Sequence, residues 1–415
     1  MCRNHLKLLI LLAFQGITLS SAYAQSAGIA SLDAATEDSV IALPFLITER
    51  NFTAGLQKIP SVPSAEKELW VAKEKNNLSA EVKALLGVSD AYISFGHNRK
   101  AFIQLRRLLK MKHQAGDENA VAHLYYNMAV VMARIKNYPV ALSCFYKAGN
   151  MVPQFAFKKK HGRMRAVDSS FRLSEQGPVP NEDSADTEEP EAFSDSMIDA
   201  SLLALDTLQI PDRIKDSSAT VVNSESVIDA FADNKKGSAY AVAIHIKQPV
   251  AGKKKAFFKL GQVGHMYITL IKFNEDKTVV SKTFGFYPQK GSLFPVNPLF
   301  PSIQATLKND AVRNWDEMIG RFVTQKNFTR ILSFIDESLD KDYHLSKFNC
   351  SDFALGVAGL ADIQIEETSG TWPLGRGNNP GCAGQSVLSG KFKNLETNSL
   401  RGLFACTNNL FASEK

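Results

Sequence analysis

The chain has 415 residues, 45% of them hydrophobic and 22% charged, a composition typical of a globular protein long enough to build more than one core. Its formal net charge of +6 comes from basic residues spread along the sequence, not gathered into a stripe, so no nucleic-acid partner is indicated. The chain holds 5 cysteines, too few for a disulfide scaffold and without the CxxC spacing of a zinc site, so no metal and no cofactor is expected.

At the start, Arg3, His5 and Lys7 precede an apolar run from Leu8 to Leu19, and small residues follow to Ala22-Tyr23-Ala24. This is the order of a secretory signal peptide. The run is shorter than the roughly 20 residues of a membrane-spanning helix, so residues 1–24 are expected to be a cleaved leader with no transmembrane anchor. The product is then exported, to a periplasm or outside the cell, and Cys2 leaves with the leader. Residues 25–63 form an N-terminal extension.

Residues 64–155 have the periodicity of paired helices. Tyr125, Met128, Ala129 and Met132 share one face of a first helix, and Ala141, Phe145 and Ala148 one face of a second that Pro153 ends. Upstream, Ser89, Tyr92, Ala101, Leu105 and Leu108 repeat the pattern more weakly. The small residues let antiparallel helices approach closely and the aromatic ones fill the groove between pairs. In these positions the segment resembles the tetratricopeptide repeat, although Ala101 to Ala141 is an offset of 40 residues against the usual 34 or so. Two readings stay open for it: a docking surface for a protein or peptide partner, or a packing element with none. Cys144 beside Phe145 reads as a packed thiol.

Residues 156–236 shift in composition, from the basic cluster Lys158 to Arg165 to an acidic stretch through Asp183 and Glu191. They are expected to be a charged, largely disordered linker that couples the two ends loosely, with one short helix near Ser196 to Leu205.

Residues 237–415 read as a mixed domain. Strands are expected over Ala239–Ile246, Gly264–Phe273 and Thr278–Tyr287, the last two forming a hairpin that Gly285 and Pro288 break. His265, Tyr267, Thr269 and Ile271 share one strand face, and Met266, Ile268 and Leu270 the other. After Asn349 the sequence turns helical, with Cys350 in the first turn, where unpaired N–H groups and the helix dipole favour a thiolate. A thiolate facing a strand histidine is the pairing that nucleophilic cysteine catalysis needs. Cys350 is therefore the candidate nucleophile and His265 the candidate base. Asn349, Thr283, Tyr287 and His344 are candidate orienting or oxyanion groups, but none supplies a third residue carrying a carboxylate next to the histidine. Cys382 and Cys406, in Gly- and Asn-containing segments, are candidates for a disulfide, and Gly375–Gly381 reads as a loop bordering the cleft.

The histidine preceding the cysteine, together with the Asn349-Cys350-x-x-Phe353 box, resembles the circularly permuted branch of the papain-like cysteine hydrolases. That branch includes lecithin-retinol-acyltransferase-like proteins and relatives of cell-wall cysteine peptidases. Five stretches in order (QPVAG from Gln248, VGHMYITL from Val263, GFYP from Gly285, NCSDFAL from Asn349, GTWPLGRGNNPG from Gly370) are similar to a group of uncharacterised bacterial proteins. The resemblance implies an α+β chain: all-α tetratricopeptide-like repeats, a linker, and a permuted papain-like domain with an antiparallel sheet and a helix carrying Cys350. It implies an exported cysteine hydrolase (an amidase or peptidase) with peptidoglycan as a substrate class. Two alternatives stay open: a non-catalytic binding or scaffold protein with an inactive papain-like domain, and an acyltransferase or thioesterase acting on lipid acyl groups.

Overall fold

The computed structural model describes residues 61–115, 118–151, 193–212, 214, 220–255, 263–289, 302–372 and 375–408. The leader, most of the extension, the charged clusters of the linker and Pro153 lie outside these residues. The architecture is α+β, a helical region followed by a mixed domain with a large antiparallel sheet.

Five helices open the described chain: α1 (Val62–Glu74), α2 (Leu78–Ser94), α3 (Asn98–Ala115), α4 (Glu118–Arg134) and α5 (Tyr138–Met151). Two helix pairs repeat with the offset seen in the sequence. The turn after α2 sends the N–H of His97 to the Tyr92 carbonyl, and the turn after α4 sends that of Asn137 to Met132. Ala101 and Ala141, one turn further on, are both fully buried. Both turns need a left-handed residue: Gly96 serves in the first at φ 76°, and Lys136 at φ 67° in the second, where a side chain is tolerated at some cost.

Of the stretch expected to be a loose linker, residues 193–212, 214 and 220–236 are described and are packed, with the expected short helix among them, while residues 156–192 lie outside the described residues. Helix α6 (Asp195–Ala204) lies against α5 and α3, with Asp199 held by both Lys112 and the Tyr125 hydroxyl. Beyond it, Arg106 donates to the carbonyls of Leu203 and Leu205, and Arg99 to those of Thr207 and Leu208. The physical reason is local. Phe193 supplies the aromatic surface the rest of the segment lacks, with its ring 4.6–5.3 Å from those of Tyr146, Phe273 and Phe322. Strand β1 (Thr220–Val222) and helix α7 (Ser224–Asp229) follow.

The main sheet has the order β1-β5-β4-β3-β2-β6-β12, with β7 also paired to β5. Its members are β2 (Gly237–Lys247), β3 (His265–Asn274), β4 (Val279–Pro288), β5 (Ser302–Asn309), β6 (Glu317–Val323), β7 (Asp342–His344) and β12 (Phe404–Thr407). The remaining elements are α8 (Gln325–Leu339), α9 (Cys350–Leu360), β8 (Ile363–Ile365), the hairpin β9 (Ser369–Trp372) and β10 (Gly375–Asn378), α10 (Pro380–Leu388), and β11 (Phe392–Asn394). Gly375–Gly381 is thus a hairpin strand running into a helix start, not a loop. The hairpin ladder between β3 and β4 does end at Ile268 and Phe284, just before Gly285, while β4 itself continues through Pro288 on its pairing with β5.

Every residue of β3 is buried, which alternation alone does not predict and which requires a cover on each face. Met266, Ile268 and Leu270 pack with α8 and α9. Tyr267, Ile271 and Phe273 share a continuous core with the helices α1 to α6. The helical layer and the sheet are therefore packed together: Phe404 of β12 meets the rings of Tyr126 and Phe145. Tyr126 also donates to the Ala405 carbonyl and Arg134 to that of Thr407. No helix among the described residues is long and apolar enough to cross a membrane.

Candidate active site

Helix α9 begins at Cys350 because Asn349 caps it. The Asn349 side-chain oxygen accepts from the N–H groups of Ser351 at 2.7 Å and Asp352 at 3.4 Å, and the Asp352 carboxylate accepts from the Asn349 N–H at 3.0 Å. This capping box fixes Cys350 in the first turn. Asn349 is therefore spent on the cap, with its amide N–H groups on the carbonyls of Leu345 and Asn378. It serves the nucleophile by holding the helix start, not by touching a reacting atom.

His265 opens β3, opposite Lys247 of β2. Its Nε2 donates to Asp310 Oδ2 at 3.1 Å, which leaves Nδ1 for Cys350. Asp310 is the third group that the sequence does not reveal. It follows β5 directly, is fully buried, and has its other oxygen, Oδ1, held by the Tyr287 hydroxyl at 2.6 Å. Its own N–H donates to the Thr283 carbonyl at 3.1 Å. Thr283 and Tyr287 thus belong to the site, but as supports of the carboxylate. The Thr283 hydroxyl turns away to Thr269, and the Tyr287 ring lies 4.3 Å from that of His265.

His344 is not brought into the group. Its Nδ1 accepts from the N–H groups of Ser346 and Lys347, closing the turn that leads from β7 to α9. The neighbour that does reach the sulfur is Tyr343, whose hydroxyl donates toward Cys350 Sγ at 3.9 Å and lies against the Cys350 N–H. No property of the sequence around Tyr343 singles it out except its place seven residues before the cysteine.

Electrostatics follows from these contacts. Burial works to raise the Cys350 thiol, but the His265 imidazole, by charge and by hydrogen bond, with help from the Met266 N–H and Tyr343, brings it below its ordinary value. Burial likewise opposes a charged His265, yet Asp310 and Cys350 together raise it to about 9. Each group shifts in the direction that favours a thiolate–imidazolium pair. By contrast Cys144 is pushed up by burial, and Cys406 rises to about 12 for the same reason.

The candidate disulfide is not present. Cys382 and Cys406 are free and buried. Cys382 lies in the first turn of α10, whose Ala383 and Val387 pack on the α8–α9 side of the sheet, while Cys406 belongs to the core shared with the helical layer. The sheet lies between them. The glycines around Cys382 mark close packing instead of exposed loops: a Cβ on Gly370 would sit 2.7 Å from Cys382 Sγ, and one on Gly381 1.8 Å from the Lys255 carbonyl. Gln248, the head of the QPVAG stretch, ties this region together, donating to the Gly381 carbonyl and accepting from the Gly252 N–H. Among the described residues no group of three or more His, Cys, Asp or Glu side chains is placed to hold a metal ion.

No family model, no curated protein and no solved structure matches this chain. What the site itself holds is a cysteine at a helix N-terminus, an imidazole beside it, and a buried carboxylate hydrogen-bonded to that imidazole.

Proposed function

We propose that the protein is a cysteine hydrolase in which Cys350 is the nucleophile, His265 the general base and acid, and Asp310 the group that orients the imidazole. The observation that carries this reading is the placement of His265 between Cys350 and Asp310, with the imidazole's Nε2 committed to the carboxylate. In the reaction the Sγ thiolate attacks a carbonyl carbon, and the carbonyl pair moves onto oxygen. His265 then gives its proton to the departing amine or alkoxide as the tetrahedral adduct collapses to a thioester. Water, deprotonated by the now neutral His265, releases the acid and restores the thiolate. The Tyr343 hydroxyl and the Cys350 N–H, both beside the sulfur, are the proposed donors to the developing oxyanion.

For an exported chain, cell-wall peptide is the proposed substrate class, since it is the abundant amide polymer outside the cytoplasm. A role for the helical repeats as covering layer, not free docking surface, draws support from the burial of α4 along nearly its whole length against the sheet and its neighbours.

The test uses the full chain. At pH 6, iodoacetamide is expected to alkylate Cys350 at least about tenfold faster than Cys144, Cys382 or Cys406, and His265→Ala is expected to abolish that advantage. Uniform slow labelling of all four thiols in the native protein would overturn the reading. Incubation with peptidoglycan fragments and, separately, with acyl esters distinguishes the amidase from the acyltransferase or thioesterase.

A further inference from the structure

Behind His265, on the face away from α9, three further rings lie close to one another. Tyr267, two residues along the same strand, is stacked on the imidazole at 5.7 Å between centroids and 15° between planes. His245, opposite Tyr267 on β2, is stacked on that ring as well, at 4.7 Å and 17°. Tyr138, from the first turn of α5 in the helical layer, closes the row at 4.5 Å from His245. Each of the four is buried.

We propose that Tyr267 is the positioning residue for the His265 imidazole and that Tyr138 completes its seat, so that the helical layer is a working part of the catalytic unit. This rests on the cysteine-hydrolase reading.

The geometry gives the row a direction. The Tyr267 hydroxyl is pinned to the Arg313 carbonyl at 2.7 Å, in the short segment between Asp310 and β6, so one tether spans the strand carrying the histidine and the turn carrying its carboxylate. The Tyr138 hydroxyl faces both the Tyr267 hydroxyl and the Trp315 indole N–H. The Tyr267 ring presents a π-face to an imidazole that Asp310 and Cys350 favour as the cation, an arrangement that stabilises the charged form. His245, stacked on the same Tyr267 ring, stays neutral, since burial, and then the Lys136 ammonium, lower it to about 3. It therefore adds no competing charge. The groups facing His265 are Asp310 and Tyr287 on one side, Cys350 on another and Tyr267 behind. Those facing Tyr267 are His245, Tyr138 and the Arg313 carbonyl. A tyrosine serving only as filler needs neither the coplanar stack nor the tether.

The experiment is the pH profile of Cys350 alkylation by iodoacetamide in the full chain, with the ring resonances of His265 followed by NMR. Tyr267→Leu is expected to move the acid limb of the profile upward by about half a pH unit or more, roughly a threefold loss of rate on that limb. Tyr267→Phe, which keeps the ring and loses the tether, is expected to shift in the same direction by less. Tyr138→Phe should alter the His265 resonances without touching the sulfur. Should the leucine variant not fold, the two phenylalanine variants decide. Wild-type profiles and resonances in folded variants would reduce the row to core packing and overturn the proposal. His265→Ala separates the two readings. A profile unchanged by His265→Ala removes the hydrolase reading and this inference with it. A profile moved by His265→Ala but by neither tyrosine removes the inference alone.

Discussion

Asp310 and His265 are 45 positions apart in the chain, and their 3.1 Å hydrogen bond exists only because β3, β4 and β5 are consecutive in the sheet. His265 starts β3, Gly285 sits beside it on β4, and Asp310 leaves the end of β5. The carboxylate is fully buried and is not left alone, since Tyr287 takes its second oxygen and Thr283 its N–H. A buried charge held in this way stabilises the imidazolium across the bond and fixes which ring nitrogen remains for the sulfur.

Replacing that carboxylate is therefore expected to act through His265. Asp310→Asn keeps the size of the side chain and removes its charge. Cys350 alkylation at pH 6 should fall by about tenfold or more, since each pKa unit the imidazole loses is about tenfold in the ion pair, while circular dichroism stays close to wild type. Because the Tyr287 hydroxyl donates to Oδ1, the double variant Asp310→Asn, Tyr287→Phe should lose little beyond the single one.

The same contacts set a pH dependence of stability. His265 is raised in the folded protein to about 9, above an unfolded value near 6.5. The contribution of its pairing is therefore fully present below about pH 6.5 and is lost as the pH rises through about 9. Cys350 moves the opposite way: it lies below its ordinary value, so its contribution is present above the unfolded thiol value and is lost as the pH falls through the folded one. The gap in Tm between wild type and His265→Gln should accordingly be widest near pH 6 and narrow by pH 9, as measured by scanning calorimetry.

His245 gives the acid side. Burial and the Lys136 charge depress it to about 3, so the unfolded chain takes up a proton below pH 6.5 that the folded chain refuses until about pH 3. Stability is expected to fall across that window with a slope approaching one proton, about 1.4 kcal/mol per pH unit. His245→Phe, which keeps the stack on Tyr267, should flatten the slope. An unchanged acid limb in that variant would show that His245 is not the group responsible.

Phe404 tests whether helices and sheet unfold together. It is fully buried between Tyr126 and Phe145 of the helical layer, on a strand held to β6. Phe404→Ala should cost about 3–5 kcal/mol and leave one cooperative transition, because the core it joins is shared. Two separated transitions, with the helical signal lost first, would contradict that coupling.

These residues also show what the sequence carries and what it does not. The three expected strands lie within two residues of β2, β3 and β4, and Cys350 at a helix start follows from Asn349 and Asp352, because alternation and capping are local signals. Asp310 sends no local signal. It is one acidic residue after a short strand, and only the pairing of β4 with β5 brings it to His265. Tyr343 is hidden for the same reason. Cys382 and Cys406 are free and buried where their segments suggest exposed turns, and around Cys382 the glycines instead allow backbone and sulfur to approach closely. Average composition does not reveal that residues 193–212 pack on the helical layer, which Phe193 and the expected short helix carry. Gly285 was the one available clue to the third residue, since a glycine inside a strand marks a place where something else comes close.

What comes close to Gly285 is the His265–Asp310 bond itself. A Cβ built there would lie 2.5 Å from His265 Nε2 and 2.5 Å from Asp310 Oδ2, the two atoms that make the hydrogen bond. Neither partner is free to give way: His265 is stacked on Tyr267 and Asp310 is held by Tyr287 and by its own backbone. Nothing else about the position demands glycine, because its φ is not in the left-handed region and the ladder to β5 continues past it. Gly285→Ala is thus expected to leave the fold intact and to separate the two atoms. Cys350 should lose its rapid alkylation at pH 6 to about the extent seen in Asp310→Asn, and the His265 ring should titrate lower than in wild type. If Gly285→Ala alkylates like wild type while remaining folded, the carboxylate is not what holds the imidazole in place, and Asp310 loses its assigned role.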